Sequence, residues 1–212
     1  MADPKQSYYE KRAQILIKNL HSRHFEAYYC PDKKSALDKA LELIPKGATV
    51  GWGGAASASQ IGLIDAVRNG DYVAIDRDKA STEAERQKIM KDCLRAEVFL
   101  SGANAISLDG QMVNIDGNGN RVAAIVYGPD SVIVIAGMNK VTDSLEAAMI
   151  RARTVAAPIN KQRFPATTGC SATGICTDCK SENGICNQIL ITRMCRPAGR
   201  IKFILVGEEL GF

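Results

Sequence analysis

The feature that most constrains this chain is an alternation: short apolar runs rich in β-branched residues, each followed by a stretch with helical patterning and its own stop signal. Asp3 and Pro4 suit the N-cap and first turn of a helix reaching about Leu20, with Ile15, Leu16 and Leu20 on one face. Phe25 to Tyr29 reads as a strand. Asp32 caps a second helix that Pro45-Lys46-Gly47 ends, and Ala48-Thr49-Val50 is a short buried strand. A helix carrying Ile61, Leu63, Ile64 and Val67 stops at Asn69-Gly70, Tyr72 to Ile75 is the next strand, and Ser81 or Thr82 caps a charged helix to about Asp92. Val98 to Leu100, Val132 to Ala136 and Ile201 to Val206 are further strands, and Thr142 to Val155 is the last long helix. The alternation predicts an α/β fold: an open, mostly parallel, Rossmann-like sheet with helices on both faces and ligand sites at the C-terminal ends of its strands.

With 212 residues, 46% of them hydrophobic, the chain can bury one substantial core, so residues 1–212 are expected to form a single domain. The opening Met1-Ala2-Asp3-Pro4-Lys5-Gln6 lacks the apolar stretch of a secretory signal, and no run approaches the ~20 apolar residues of a membrane helix. The expectation is a cytoplasmic protein without a membrane span. The net charge of +4 resides in the C-terminal third, in residues such as Arg151, Arg163, Arg193, Arg196, Arg200 and Lys202. They lack the interleaved aromatics of a single-strand nucleic-acid platform, so no nucleic-acid partner is expected. A solvated surface explains most of them, and an anionic small molecule is the intermediate reading.

From Ala157-Pro158 to about Arg196, Gly, Thr and Cys replace the apolar periodicity, which marks 157–196 as a cysteine-rich, metal-binding insertion. Cys170, Cys176, Cys179 and Cys186 fall within seventeen residues, and Cys195 follows as a spare or substitute ligand. Without a secretion signal, such clustering argues for metal rather than disulfides. The region cannot bury much apolar surface alone, and a metal would supply the missing folding energy. The small residues Gly169, Ser171, Ala172, Gly174 and Gly184 let backbone amides approach sulfur, which favours a [4Fe-4S] cluster, whose sulfides accept amide hydrogen bonds. Structural zinc is the alternative, although only Cys176 and Cys179 have the narrow spacing of a zinc knuckle. Free thiols stay open as well. Cys30 and Cys93 read as small buried hydrophobes.

Two glycine loops are candidates for an anion. Gly51-Trp52-Gly53-Gly54 lies between a strand and a helix, where backbone amides favour a phosphate and Ser57 or Ser59 adds a hydroxyl. It is neither a Walker A motif nor the dinucleotide fingerprint. Past the strand at Leu100 stand Gly102, Ala103 and Asn104. Ile106 to Asn114 then reads as two short strands turning at Asp109-Gly110, and Asp116-Gly117-Asn118-Gly119-Asn120-Arg121 is a second glycine-rich loop. Asp109, Asn120 and Arg121 are the candidate polar groups, against a turn, a helix cap and a surface Arg. No Gly-x-Ser-x-Gly elbow exists, His21 and His24 are far from these loops, and Trp52 either stacks on a ligand or covers the core.

Gly51-Trp52-Gly53-Gly54, Gly102-Ala103-Asn104-Ala105-Ile106-Ser107-Leu108-Asp109-Gly110, Asn114-Ile115-Asp116-Gly117-x-Gly119-Asn120-Arg121 and the closing Gly199-Arg200-Ile201 to Gly207-Glu208-Glu209-Leu210-Gly211 together resemble the lactate-utilisation LUD-domain family, in a subgroup with a C-terminal cysteine cluster. The resemblance implies the fold shared by ribose-5-phosphate isomerase, glucosamine-6-phosphate deaminase and CoA transferases. It also implies a role in oxidising lactate or another organic acid through iron-sulfur redox partners. Proteins of that fold often carry Gly-Ala-Asp where this chain has Gly102-Ala103-Asn104, and the amide removes a possible base. The expected site is a small-anion pocket formed by Gly51, Gly53, Gly54, Ser57, Gly102, Asn104, Asp109, Asn120 and Arg121, with Cys170, Cys176, Cys179 and Cys186 as metal ligands. Its ligand would be an organic acid, a phosphate or a CoA-like molecule. The alternative is a sugar-phosphate isomerase-like or CoA-transferase-like enzyme with structural zinc, and a homo-oligomer is left open.

Overall fold

A computed structural model describes residues 3–212. Ten strands, numbered along the chain, make two sheets: β1 Glu26–Cys30, β2 Thr49–Trp52, β3 Val73–Ile75, β4 Val98–Gly102, β5 Ala105–Ser107, β6 Met112–Asp116, β7 Ser131–Gly137, β8 Val141–Thr142, β9 Gln188–Thr192 and β10 Ile201–Val206. Six of them form the main sheet in the order β1-β10-β7-β4-β2-β3, with every pairing parallel. Successive side chains on a strand point to opposite faces, and here both faces are dry. Val132, Val134, Phe203, Leu205 and Phe99 pack to one side with Ala13, Leu16 and Leu20 of the helix Pro4–Ser22. Ile133, Ile135, Ile204, Val206 and Leu100 pack to the other, against Ala36 and Ala40 of the helix Lys33–Glu42 and Leu63, Ile64 and Val67 of the helix Leu63–Asn69.

The local start signals operate as the sequence implies. Asp3 accepts from the Lys5 amide, Asp32 forms a capping box with Ser35, and Thr82 accepts from the Glu85 amide to open the helix Glu83–Asp92. Two elements differ from expectation. Thr142 belongs to β8, and the last helix begins at Leu145 behind the Ser144 cap, widens to a π form over Ala152–Ala156, and continues as Ala157–Lys161. Pro158 has no N–H to donate back along the helix, and the turn before it is the wider form. The helix after β2 is also interrupted: Ala56–Gln60 ends at Ile61, and Gly62 at φ +80° restarts the chain as Leu63–Asn69.

The second sheet, in the order β8-β5-β6-β9, is not evident in the sequence pattern. The hairpin β5–β6 turns at Asp109-Gly110 as expected, and β9 adds antiparallel to β6 from Asp116↔Gln188 to Met112↔Thr192. Its small core joins Ala105, Val113 and Ile115 to Ala148 and Ala152 of the last helix, whose methyl groups permit close approach. The segment 157–196 therefore holds a helix at its start and β9 near its end; the cysteines from 170 to 186 lie between them, together with the short helix Gly169–Thr173.

Candidate functional site

At the C-terminal ends of β2, β3, β4 and β7, the main sheet and the second sheet enclose a cavity of about 270 Å³. Gly54 and Ser57 follow β2, Arg77 and Asp78 follow β3, Gly102 to Asn104 end and follow β4, and Lys140 follows β7. Ile115 to Asn118, Asn120 and Arg121 contribute from β6 and the loop after it. Asn160, Arg163 and Phe164 line it from the end of the last helix, and the carboxy-terminal Phe212 closes one side. Four arginines, Arg77, Arg86, Arg121 and Arg163, and the amine of Lys140 line the cavity together with two carboxylates, Asp78 and Asp116. The carboxylates are already engaged. Asp116 accepts from the amides of Gly117, Arg121 and Val122, and Asp78 stands beside Arg68 at 3.3 Å. The arginines leave the cavity with surplus positive charge.

The Arg121 side chain is 13% exposed, and Gly53 makes room for it: a Cβ at Gly53 would lie 3.2 Å from Arg121 Cβ. Its Nη2 donates to the Ile115 carbonyl and, at 3.2 Å, to Asn104 Oδ1, which also accepts from the Ile115 amide. Burial, with Arg77 nearby, holds the Arg121 guanidinium below its ordinary range, while Asp116 acts in the opposite direction. The Nε of Arg77 is buried without a hydrogen bond among the described residues, Asp78 Oδ1 standing 3.9 Å away. Lys140 is 4% exposed and donates to Ser57 Oγ at 3.1 Å, its one hydrogen bond among the described residues. Burial pushes its amine down from 10.5 to about 7, with the charges of Arg151 and Arg121 adding to the effect. Arg151 ties the rim together by donating to the carbonyls of Asn104, Asn139 and Phe212.

Of the residues expected from sequence, Gly54, Ser57, Gly102, Asn104, Asn120 and Arg121 line this cavity. Gly51 does not: it lies inside β2, where a Cβ would press to 2.9 Å from Cys93 Sγ, so its role is packing. Gly53 acts through Arg121. Asp109 stays in the hairpin turn, held by Ser107, Gln111 and an ion pair to Arg23 at 2.7 Å, away from the cavity. Trp52 is 2% exposed and belongs to the core, with Arg68 over its ring. Arg121, read as a surface Arg or an anion ligand, lines the cavity rather than the outer surface. Sequence reasoning passed over Arg77, Arg86 and Lys140. Lys140 carried one usable signal, standing three residues past the end of the most apolar strand, where parallel sheets place their ligand groups.

Cys30 and Cys93 are buried, as expected. Cys195 is no spare ligand: it is 2% exposed in the main core, and its Sγ accepts from the Ile201 amide at 3.2 Å. Cys170, Cys176, Cys179 and Cys186 are free thiols at or near the surface. Partial burial pushes the Cys186 thiol up to about 11, and Cys176, Cys170 and Cys179 each add to that. Among the described residues, no three Cys, His, Asp or Glu side chains are close enough to share one metal ion. Asn187 binds the segment to the second glycine loop: its amide donates to the Asp116 carbonyl at 2.9 Å and its side chain to the Gly117 carbonyl at 3.0 Å. Gly184 and Ile185, directly before Cys186, are part of the cavity wall.

No helix among the described residues is long and apolar enough to cross a membrane. None of the curated proteins compared with the chain matches it. Among solved structures, a DUF162 family protein from Deinococcus radiodurans is similar over 95% of this chain and 97% of its own, at 10% identity and a TM-score of 0.51, a likeness of fold. More distant are two proteins from Chaetomium thermophilum. They are eIF2B beta (16% identity, 54% of this chain and 44% of that one, TM-score 0.38) and eIF2B delta (15%, 66% and 57%, TM-score 0.35). The LUD domain family model matches residues 13–206, both sheets and the cysteine segment included, and the chain therefore belongs to the LUD domain family.

Proposed function

We propose that this LUD protein binds a small organic anion in the cationic cavity and takes part in organic-acid oxidation or electron transfer through a [4Fe-4S] cluster on Cys170, Cys176, Cys179 and Cys186. The observation that carries the reading is the shared wall: Gly184 and Ile185 line the cavity, and the next residue is Cys186. A ligand held by Arg121 and Arg77 would lie beside the cysteine segment rather than across the molecule from it.

The donor set suits the group. Four free thiols lie in one short segment, and although no three of them stand close enough among the described residues to share one ion, a cluster held by thiolates around its outside is the group this donor set would take. The Thr168 hydroxyl lies 3.4 Å from Cys170 Sγ, and a Cβ at Gly184 would stand 3.9 Å from Cys179 Sγ, so polar and small groups surround the sulfurs. Arg153, ion-paired to Asp178, adds positive charge near Cys186. When bound, such a cluster supplies one-electron transfer. The chain's own contribution is to fix the anion through guanidinium groups and to exclude water with Phe212 and Ile185.

Anaerobic purification followed by iron and acid-labile sulfide analysis tests the cluster. Thermal-shift measurements with lactate, pyruvate, sugar phosphates and CoA esters test the cavity. The reading expects iron and sulfide in equal amounts and stabilisation by small carboxylates. Colourless, iron-free protein stabilised only by sugar phosphates or CoA esters refutes it in favour of a zinc-stabilised isomerase-like or transferase-like enzyme.

A further inference from the structure

We infer that Lys140 is a nucleophilic amine that forms a reversible imine with a 2-oxo carboxylate bound in the cavity. The inference rests on the anion-pocket reading and names the substrate class of that site.

The geometry of the amine carries it. A lysine used only to attract anions stands in water or beside a carboxylate, whereas Lys140 is 4% exposed and hydrogen-bonds only to the neutral hydroxyl of Ser57. The charged groups acting on it are Arg151 and Arg121, both cations, and no carboxylate is among them. An ammonium is poorly tolerated in such a place and a free amine is not, so the lone pair is available near neutral pH. Two glycines keep the reactive atom accessible: a Cβ at Gly211 would fall 2.8 Å from both Lys140 Nζ and Ser57 Oγ, and one at Gly102 would fall 3.9 Å from Ser57 Oγ. The carboxy-terminal segment bearing Gly211 is held in place, its amide donating to Gln60 Oε1 at 2.6 Å and that of Leu210 to Asn139 Oδ1 at 3.1 Å.

A 2-oxo carboxylate meets both halves of the site. Its carboxylate suits Arg121, and its carbonyl carbon is one bond away, a short separation in keeping with the charge of Arg121 bearing on the Lys140 amine. The Nζ lone pair adds to the carbonyl carbon, and the carbonyl π pair takes up a proton to give a carbinolamine. Loss of that oxygen as water, with the second nitrogen proton, leaves the C=N bond. Amine plus carbonyl gives imine plus water, and no oxidant or reductant is consumed. Ser57 is a positioning residue that holds the amine and relays protons between nitrogen and oxygen.

The test treats the full chain, purified anaerobically, with pyruvate and cyanoborohydride, followed by intact mass measurement and peptide mapping. One pyruvyl adduct per chain, located on Lys140, absent in Lys140→Met and formed at least tenfold more slowly in Ser57→Ala, is the expected result. Thermal shifts with acetate and lactate, which lack the ketone, report anion binding separately. Stabilisation by these anions with no adduct on Lys140, or with adducts on Lys161 or on surface lysines, overturns the imine and leaves the pocket standing. No stabilisation and no adduct overturns both.

Discussion

Replacing Lys140 by Met should flatten the dependence of folding stability on pH, and the size of the effect follows from its burial. The amine titrates near 7 in the folded chain and near 10.5 when unfolded, so between those values the unfolded state holds one more proton. Stability then rises with pH. The lysine's contribution is least favourable below pH 7, recovers through the interval, and is fully recovered above pH 10.5. From pH 7 to pH 9 the two titrations imply a gain of about 2 kcal/mol, and about 4 kcal/mol over the whole interval. Urea denaturation of the wild type and Lys140→Met, reduced and at matched pH values, isolates the effect because other titrating groups, the thiols included, cancel in the difference. The variant should be the more stable protein at pH 7, with an advantage that shrinks by about 2 kcal/mol at pH 9. An advantage independent of pH would mean that the amine is charged in the folded protein, and the argument from burial would be wrong.

Arg121→Met should weaken binding of small carboxylates by roughly 10- to 100-fold, the worth of a buried charge-assisted contact, and cost the ligand-free protein about 1–3 kcal/mol through the lost bonds to the Ile115 carbonyl and Asn104; isothermal titration and urea melts check the two halves. Arg200 donates to the carbonyls of Pro129, Ile125 and Ala124 at the end of the helix Asn120–Val126. Arg200→Met should therefore cost about 3 kcal/mol, a fall in Tm of roughly 6–12 °C, while the exposed Arg196→Ala changes little. Cys176→Ser should abolish iron and sulfide together, whereas Cys195→Ser should keep both and lose stability alone, as metal analysis and melting would show.

The main sheet was legible because strands buried on both faces carry unbroken apolar runs: Val132 to Ala136 and Phe203 to Val206 can be little else. The second sheet was not, because its outer pairing joins β6 to β9 across more than seventy residues and β8 has only two residues. Gln188–Thr192 offers only the short run Ile189-Leu190-Ile191 between polar ends, half exposed beside a cysteine cluster. Glycine loops were readable as loops but not by role. Gly51 and Gly53 look equivalent on paper, yet one faces Cys93 inside a strand and the other faces Arg121. Arg121 reads as a surface group because its burial depends on that absent Gly53 side chain. The charge excess of the C-terminal third divides in the same way: Arg151 and Arg200 are spent on backbone carbonyls, and Arg163 lines the cavity.

The cysteine segment and the anion cavity are coupled through the stretch from Gly184 to Asn187. A Cβ at Gly117 would sit 3.4 Å from Ile185 Cα, and Asn187 makes two hydrogen bonds to the loop that presents Arg121. This stretch has no regular structure, and beyond the two hydrogen bonds of Asn187 a cluster bound by Cys179 and Cys186 would be what holds it in one conformation. If the cluster is removed, an incoming anion must itself order the two lining residues, Gly184 and Ile185, at about 1–2 kcal/mol each. Carboxylate affinity should then fall by roughly 30-fold or more on chelation under anaerobic conditions, although no cysteine touches the ligand. Isothermal titration before and after chelation, repeated on Cys176→Ser, measures this directly. Equal affinities would show that the wall stands without its sulfur ligands and that the two sites share a boundary but no energy.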